Sequence, residues 1–578
     1  MFEVRRDKFY RDGKEIKIIS GAVHYFRIVP DCWREVFKKL RALGCNCVET
    51  YCAWNMHERI EGEYDFGGIL DVSTFIKTAQ EEGLMAIIRP GPYICAEWEF
   101  GGLPWWLQRY EDIEIRCSNE KYVTLFERYL ARLFEEIRPL LVTNGGNVIM
   151  LQVENEYGHY GDDKEYLRKL VKIYRDNGID VPLFTSDGPT KSTLLDGTID
   201  GCYPALNFGS RVDEHFELFE SIFPNTPKMC TEAWNGWFDA WGDDMHHVTS
   251  ADSYAKVVDD ILRHGSINMY MFVGGTNFGF MSGANHYEYY APDVTSYDYD
   301  ALLTECGDIT QKYHEVRKVV SRYTKEKLPE IPQNREKRAY GKVALTKKAG
   351  LFDNLLNLSK PIYSDVPKNM EYYNQGYGYI AYSTKLERDY NNATLSFESI
   401  GDRAHVYINR ILVGIVYVND SELQIEFSAN SGDTLTILVE NMGRANFGSK
   451  MMRKKGIAGR CLIDKKIHFG WSVYTLPMTN IERLEYKVDV VEERACFYKG
   501  SFEVRELSDT FLELKNFKKG FVLINGFNIG RYWEIGPQRT LYVPSPLLKS
   551  GTNEIVVFEC DGLVGEPIVE FVEKPDLG

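Results

Sequence analysis

The stretch NVIMLQVENEYG, residues 147–158, begins as a strand and ends in charge. Val148 to Leu151 form a short apolar run. Glu154 and Glu156 follow, separated by one residue. Two carboxylates at the end of a strand are costly to bury unless they are paired or used. Working outward, seven other short apolar or β-branched runs read as strands: 17–22, 45–51, 84–90, 181–185, 199–203, 228–232 and 267–273. Helical patterns lie between most of them. Trp33, Val36, Phe37, Leu40 and Leu43 keep helical spacing, and Gly44 stops the run. Val123 to Ile137 marks a longer helix, and Tyr254 to Leu262 another, closed by Gly265. Eight strands with intervening helices over residues 1–325 predict a (β/α)₈ barrel, with an open doubly wound sheet as the alternative. No GxGxxG turn follows the first strand, which argues against a dinucleotide fold. In a barrel, chemistry sits beyond the C-terminal ends of the strands.

The helical rhythm stops near residue 325. KEKLPEIPQNREKR (325–338) is charged and proline-bearing and reads as a linker. Residues 326–375 are expected to hold this linker and strands that pack on the β domains. Beyond them, period-two alternation predicts two β-sandwich domains, over 376–485 and 486–578. They read as a repeat. Val406, Ile408, Asn409 and Gly414 recur as Val522, Ile524, Asn525 and Gly530, at a constant offset of 116 residues. Gly432 and Glu440 have counterparts in Gly551 and Glu559. Two copies of one jelly-roll-like unit follow, against the alternative of chance likeness between strand-rich segments.

Across its 578 residues the chain carries a net charge of −16. Such a surface disfavours nucleic acid and anionic membranes as partners. No apolar run approaches the roughly 18 residues of a membrane span. The first 21 residues lack the apolar core and small-residue cleavage site of a signal peptide. A cytoplasmic protein is expected. The 12 cysteines form no CxxC pair and read as reduced thiols. His246-His247 reads as a surface pair, because no third ligand stands at helical spacing. Gly274, Gly275 and Gly279 resemble a phosphate loop without its Gly-Lys-Ser/Thr. Neither a metal nor a cofactor is expected. A homodimer is compatible with the sequence and not required by it.

The strand over 228–232 also ends in a glutamate, Glu232. Glutamates from two barrel strands meeting in one mouth are what retaining glycoside hydrolysis needs: one attacks the anomeric carbon and the other handles the proton. Eight of the ten tryptophans precede residue 242. Those at 98–106 and 234–241 offer flat faces for sugar rings.

Long stretches carry a family resemblance. They include SGAVHYFRI (20–28), TYCAWNMHE (50–58), RPGPYICAEWE (89–99), QVENEYG (152–158), TEAWNGWF (231–238), GGTNFG (274–279) and TSYDYDA (295–301). In the β half, ENMGRANFG (440–448) and GRYWEIGPQ (530–538) join them. The chain resembles the β-galactosidases of glycoside hydrolase family 35. The resemblance implies galactose-binding-like β domains, a galactoside substrate and no cofactor. It makes Glu156 the acid/base and Glu232 the nucleophile. It places Asn155, Tyr51, Glu97, Tyr299 and Tyr297 on the galactose, and Trp237 and Trp234 in stacking positions. His24 and Arg27 would order the site, and Glu154 would have a structural role. It implies exo-action on terminal galactose, with β-1,3 linkages as the candidate preference. Two departures stand out. Cys52-Ala53 replaces the common Val-Pro, and Phe447 replaces a tyrosine in a loop that would reach the leaving-group side. The rivals are an exo-β-glycosidase acting on another sugar, such as glucosamine, and a binding protein without catalysis. Turnover of a chromogenic galactoside separates a galactosidase from the binding protein.

Overall fold

The computed structural model describes residues 1–487 and 494–578. All eight predicted strands form a closed barrel. They are β1 (Ile19–Val23), β2 (Cys47–Tyr51), β3 (Met85–Arg89), β4 (Val148–Gln152), β5 (Leu183–Asp187), β6 (Cys202–Asn207), β7 (Met229–Trp234) and β8 (Ser266–Val273). Every adjacent pair is parallel, and β8 closes on β1 through Ile267 and Ile19. The strands are buried almost throughout, because helices cover the outside and side chains fill the inside. The expected helices are Trp33–Leu43, Glu120–Ile137 and Ala251–His264. Gly44 ends the first in a left-handed conformation, φ 109°. Gly265 ends the third differently, with extended backbone. A Cβ there would lie 2.0 Å from the Lys228 carbonyl oxygen, so close packing requires the glycine.

One element was not foreseen. Phe2–Arg5, Lys8–Arg11 and Lys14–Ile16 form a small antiparallel sheet. Its Phe2 and Phe9 share a core cluster with Cys47, Met85, Met150, Phe184 and Met229, from the barrel interior. This sheet packs on one end of the barrel and leaves the other for chemistry.

After the last barrel helix, Gln311–Val320, two β-sandwiches follow. The first pairs a six-stranded with a four-stranded sheet over 362–476, and the second a five-stranded with a four-stranded sheet. Two early strands, Gly341–Ala344 and Lys347–Gly350, belong to the second sandwich, where they pair with Ile568–Val572 and Cys496–Val504. The repeat is visible in the ladders. Val406 faces Gly414, and Val522 faces Gly530, and each hairpin shifts register at the next residue. Asn409 and Asn525 both turn through positive φ, at 48° and 50°. The glutamates do not correspond. Glu440 sits opposite Arg403, while Glu559 sits opposite Gly520, the counterpart of Ala404. A one-residue offset turns side chains to opposite faces, so equal spacing misaligned the later strands.

Candidate active site

A cavity of about 350 Å³ opens at the C-terminal ends of the barrel strands. Its walls include Tyr51 from β2, Glu97 after β3, Asn155 and Glu156 after β4, Glu232 and Trp234 from β7, and Tyr270 from β8. Trp237, Tyr287, Tyr299 and Phe447 complete the mouth.

Backbone strain concentrates here. Cys95, Ala96, Glu97, Glu156 and Tyr299 line the cavity with φ of 57°, 61°, 48°, 46° and 62°. Left-handed backbone costs an L-residue about 1–2 kcal/mol and persists where its surroundings over-determine it. One such determinant is close packing between loops. A Cβ on Gly274 would lie 1.5 Å from the Tyr297 carbonyl oxygen, and one on Gly236 1.8 Å from that of Tyr299. The glycines thus seat the 297–299 loop.

Glu232 is 6% exposed and meets one cation and two hydrogen-bond donors. Arg89 Nη1 lies 2.7 Å from Oε1, the Tyr51 hydroxyl 2.6 Å from the same oxygen, and Trp234 Nε1 3.1 Å from Oε2. Asn155 Oδ1 accepts from Arg89 Nη2 at 2.7 Å and from Gln152 Nε2 at 3.1 Å, and it lies 2.9 Å from the Tyr51 hydroxyl. That hydroxyl has one proton for Asn155 and Glu232. Glu156 has a different setting. Asn207 Nδ2 donates to its Oε1 at 3.1 Å. Burial, and then the nearby Glu232 charge, raise its carboxyl to about 8. Glu154 turns away from the cavity. Arg116 grips it at 2.9 and 2.8 Å, and the Tyr166 hydroxyl donates at 3.0 Å, which gives it the structural role expected.

Glu97 is bonded by the Tyr297 hydroxyl. Burial pushes Glu97 up to about 7, against the Tyr297 bond and the Arg27 charge. Tyr297 itself is 1% exposed and lies behind Glu97, with Arg27 stacked on its ring at 3.8 Å. It is not part of the cavity wall, contrary to expectation, whereas Tyr299 is. Arg27 also donates to the Ala96 carbonyl and bonds His24 Nδ1 at 2.6 Å. Both residues thus support the strained 95–97 turn.

The tryptophans divide. Trp234 and Trp237 reach the cavity, and Trp237 is 46% exposed. Trp98, Trp105, Trp106 and Trp241 are buried structural residues instead. The indole N–H groups of Trp98, Trp105 and Trp106 bond Asn55, Arg59 and Glu58, which fixes those three in the fold. His246 is no free surface residue either. Asp239 holds its Nδ1 at 2.6 Å and Asp298 lies 3.4 Å from Nε2. Burial opposes its charge, but the two aspartates outweigh it and hold His246 up to about 10. Among the described residues, His405–Cys560–Asp561 and Asp239–Asp243–His247 are close enough to share an ion. Neither group contributes to the cavity wall.

Sequence reasoning gave no role to Arg89, Gln152, Asn207, Tyr270 or Tyr287. Arg89 and Gln152 lay inside quoted motifs, with nothing to show where they point. Asn207 ends a strand predicted to stop at residue 203.

The β half reaches the cavity through residues 441–448. Asn441 to Asn446 are buried, and Phe447 forms part of the wall. Arg444 pairs with Glu99 and Glu371, each at 2.7 Å. Asn446 receives the Tyr93 hydroxyl on its carbonyl at 2.6 Å. The second sandwich braces the same end: Thr295 donates to the Arg531 carbonyl at 2.7 Å, and Gln538 accepts from the Ser296 amide at 2.9 Å.

Residues 8–323 match the family model for glycosyl hydrolases family 35. Residues 367–477 match that for the first all-beta domain of beta-galactosidase, and 495–553 that for its galactose-binding domain. Among curated relatives, a beta-galactosidase of Bos taurus is 39% identical over 99% of this chain and 93% of its own. One of Homo sapiens is 38% identical over 100% and 91%. One of Xanthomonas manihotis is 39% identical over 94% and 91%. With a barrel carrying two glutamates at its strand ends and relatives alike from end to end, the chain belongs to glycosyl hydrolase family 35.

Proposed function

We propose that this glycoside hydrolase, a β-galactosidase, removes terminal non-reducing β-D-galactose with retention of configuration, through a galactosyl-enzyme intermediate on Glu232. The observation that carries the reading is the contrast between the two glutamates of one cavity. Glu232 is gripped by one cation and two donors, while Glu156 is raised to about 8 and holds a proton at neutral pH. Glu156 gives its proton to the leaving oxygen as Glu232 attacks the anomeric carbon. The Glu232 charge vanishes into the ester, and one cause of the raised Glu156 pKa vanishes with it. Glu156 can then take a proton from water for the second step. Asn155, Glu97 and Tyr299 face the space for the sugar hydroxyls. Glu97, near half-protonated at neutral pH, can donate as well as accept there.

Both chemical roles fall to carboxylates, so the reading needs no metal or cofactor. The nine cysteines of the barrel half, Cys32 to Cys306, are free thiols, which suits a reducing cytoplasm. NMR of the first-formed sugar tests the stereochemistry. β-Galactose as the initial product supports retention, and α-galactose overturns it. Turnover of a glucosaminide but not of a galactoside would overturn the sugar assignment. A panel of β-1,3-, β-1,4- and β-1,6-linked galactosides tests the proposed β-1,3 preference.

A further inference from the structure

Arg89 stands between two carboxylates. On one side its Nη1 lies 2.7 Å from Glu232, an ion pair without hydrogen-bond geometry. On the other, its Nε lies 3.7 Å from Glu49 Oε1, too long for a hydrogen bond. Nε donates instead to Gln152. Glu49 lies on β2, two residues before Tyr51, so both side chains take the same face of the strand. It is 1% exposed. Its Oε2 accepts from Asn268 Nδ2 at 3.0 Å, and its Oε1 has no hydrogen-bond partner. Asn268 also donates to the carbonyl of Thr231, next to the proposed nucleophile, at 2.9 Å. A buried carboxylate with an unbonded oxygen is costly as an anion and far less so as a neutral acid. Burial drives Glu49 up to about 7, opposed by Arg89 and reinforced by Glu232. The other titratable groups around it are the Tyr51 hydroxyl and the Cys47 and Cys52 thiols, all held protonated by burial.

We propose that Glu49 is a positioning residue for the nucleophile: as a neutral acid it leaves the Arg89 guanidinium committed to Glu232, and as an anion it draws that guanidinium away. The proposal rests on Glu232 being the nucleophile, which the anomer of a rescue product tests separately. One cation cannot hold two buried anions equally well, and Glu49 already stands within one small shift of Arg89. The active form therefore carries a proton on Glu49, and activity declines as that proton leaves.

The test is the pH dependence of kcat/KM for an aryl galactoside in wild type, Glu49→Gln and Glu49→Met. The ratio of variant to wild type cancels the ionisations of Glu97 and Glu156, which all three proteins share. At pH 6 the variants should lie within about threefold of wild type, and the ratio should rise at least about fivefold by pH 8.5. A ratio that stays flat with pH, whatever its size, overturns the proposal, since a purely structural role lowers activity evenly. Failure of both variants to fold also overturns it, because a neutral side chain is the form proposed to be native.

Discussion

Two regions meet at the cavity, and they bring different chemistry. The barrel brings every carboxylate: Glu97, Glu156 and Glu232. Its side chains are tied into a network in which Arg89 meets Gln152, Asn155 and Glu232, and the Tyr51 hydroxyl meets Asn155 and Glu232, across β2, β3, β4 and β7. The first β-sandwich brings Asn446 and Phe447, an amide and an apolar ring. On the proposed reading, bond breaking falls to the barrel and contact with the departing group to the loop of the β half. The second sandwich sharpens the point. It shares the hairpin of the first, yet its own loop, Gly562 to Glu566, is largely exposed and lies away from the cavity. A shared scaffold does not give a shared role, because function is carried by the loops grafted on it.

The largest effects belong to the barrel. Glu232→Gly should lower turnover at least about 10⁴-fold. Added azide should restore part of it and yield the α-galactosyl azide, since the small anion enters the vacated face. A β-azide would exchange the roles of the two glutamates. The same charge acts on its neighbour. In Glu232→Gln, the carboxyl of Glu156 should titrate below about 8, because one cause of its raised value is gone while burial remains. The sign is fixed: a lost anion makes the neighbouring acid easier to ionise. Carbon NMR of labelled glutamate reads it, and an unmoved titration would mean the pair is uncoupled.

Glu156→Ala should cost less where the leaving group departs unaided. An activated aryl galactoside should keep its first step nearly intact, whereas a disaccharide should lose at least about 10²-fold. Azide should now give the β-azide. Equal losses on both substrates would remove Glu156 from proton transfer.

The barrel was legible because its signal is local. All eight strands follow from short apolar runs, and the two catalytic candidates from what stands at their ends. What sequence missed depends on where side chains point. Arg89 sits inside a quoted motif, but only the closed barrel brings it against Glu232. Trp98, Trp105 and Trp106 look like sugar platforms by type, and only their buried indole contacts show that they belong to the fold. The first sheet carried an unread signal: Asp12-Gly13, both at positive φ, is the dipeptide of a tight hairpin. The misaligned glutamates of the repeat reflect equal spacing in sequence without equal register in the ladder.

The junction between the regions should show an intermediate effect. Arg444 is fully buried and pairs with Glu99 of the barrel half and Glu371 of the β half. Arg444→Met strands two carboxylates, and breaking a buried pair this way costs about 3–5 kcal/mol. Thermal unfolding should begin earlier, and amide exchange across residues 441–448 should quicken. Unchanged exchange there would mean that the Tyr93 and Ala284 contacts alone hold the loop.

The smallest effect, and the most selective, concerns Phe447. Its ring forms part of the cavity wall with Tyr287 and Trp237, which are exposed, while Glu232 is buried. A phenyl ring can stack on a sugar face but cannot donate a hydrogen bond. Contacts with the departing sugar help hold the scissile bond in line, and they count only when the leaving group is a sugar. Phe447→Ala should therefore lower kcat/KM for a disaccharide by about 1–2 kcal/mol, the scale of one aromatic contact, and barely touch an aryl galactoside. Phe447→Tyr should retain the stacking, and a changed order among β-1,3-, β-1,4- and β-1,6-linked substrates would then report the added hydroxyl alone. Equal loss on both substrate types in Phe447→Ala would move the residue to the galactose side or to the fold. No loss on either would leave the loop as a brace for Asn446, and the division between the two regions would have to be redrawn at the barrel's own rim, at Trp237 and Tyr287.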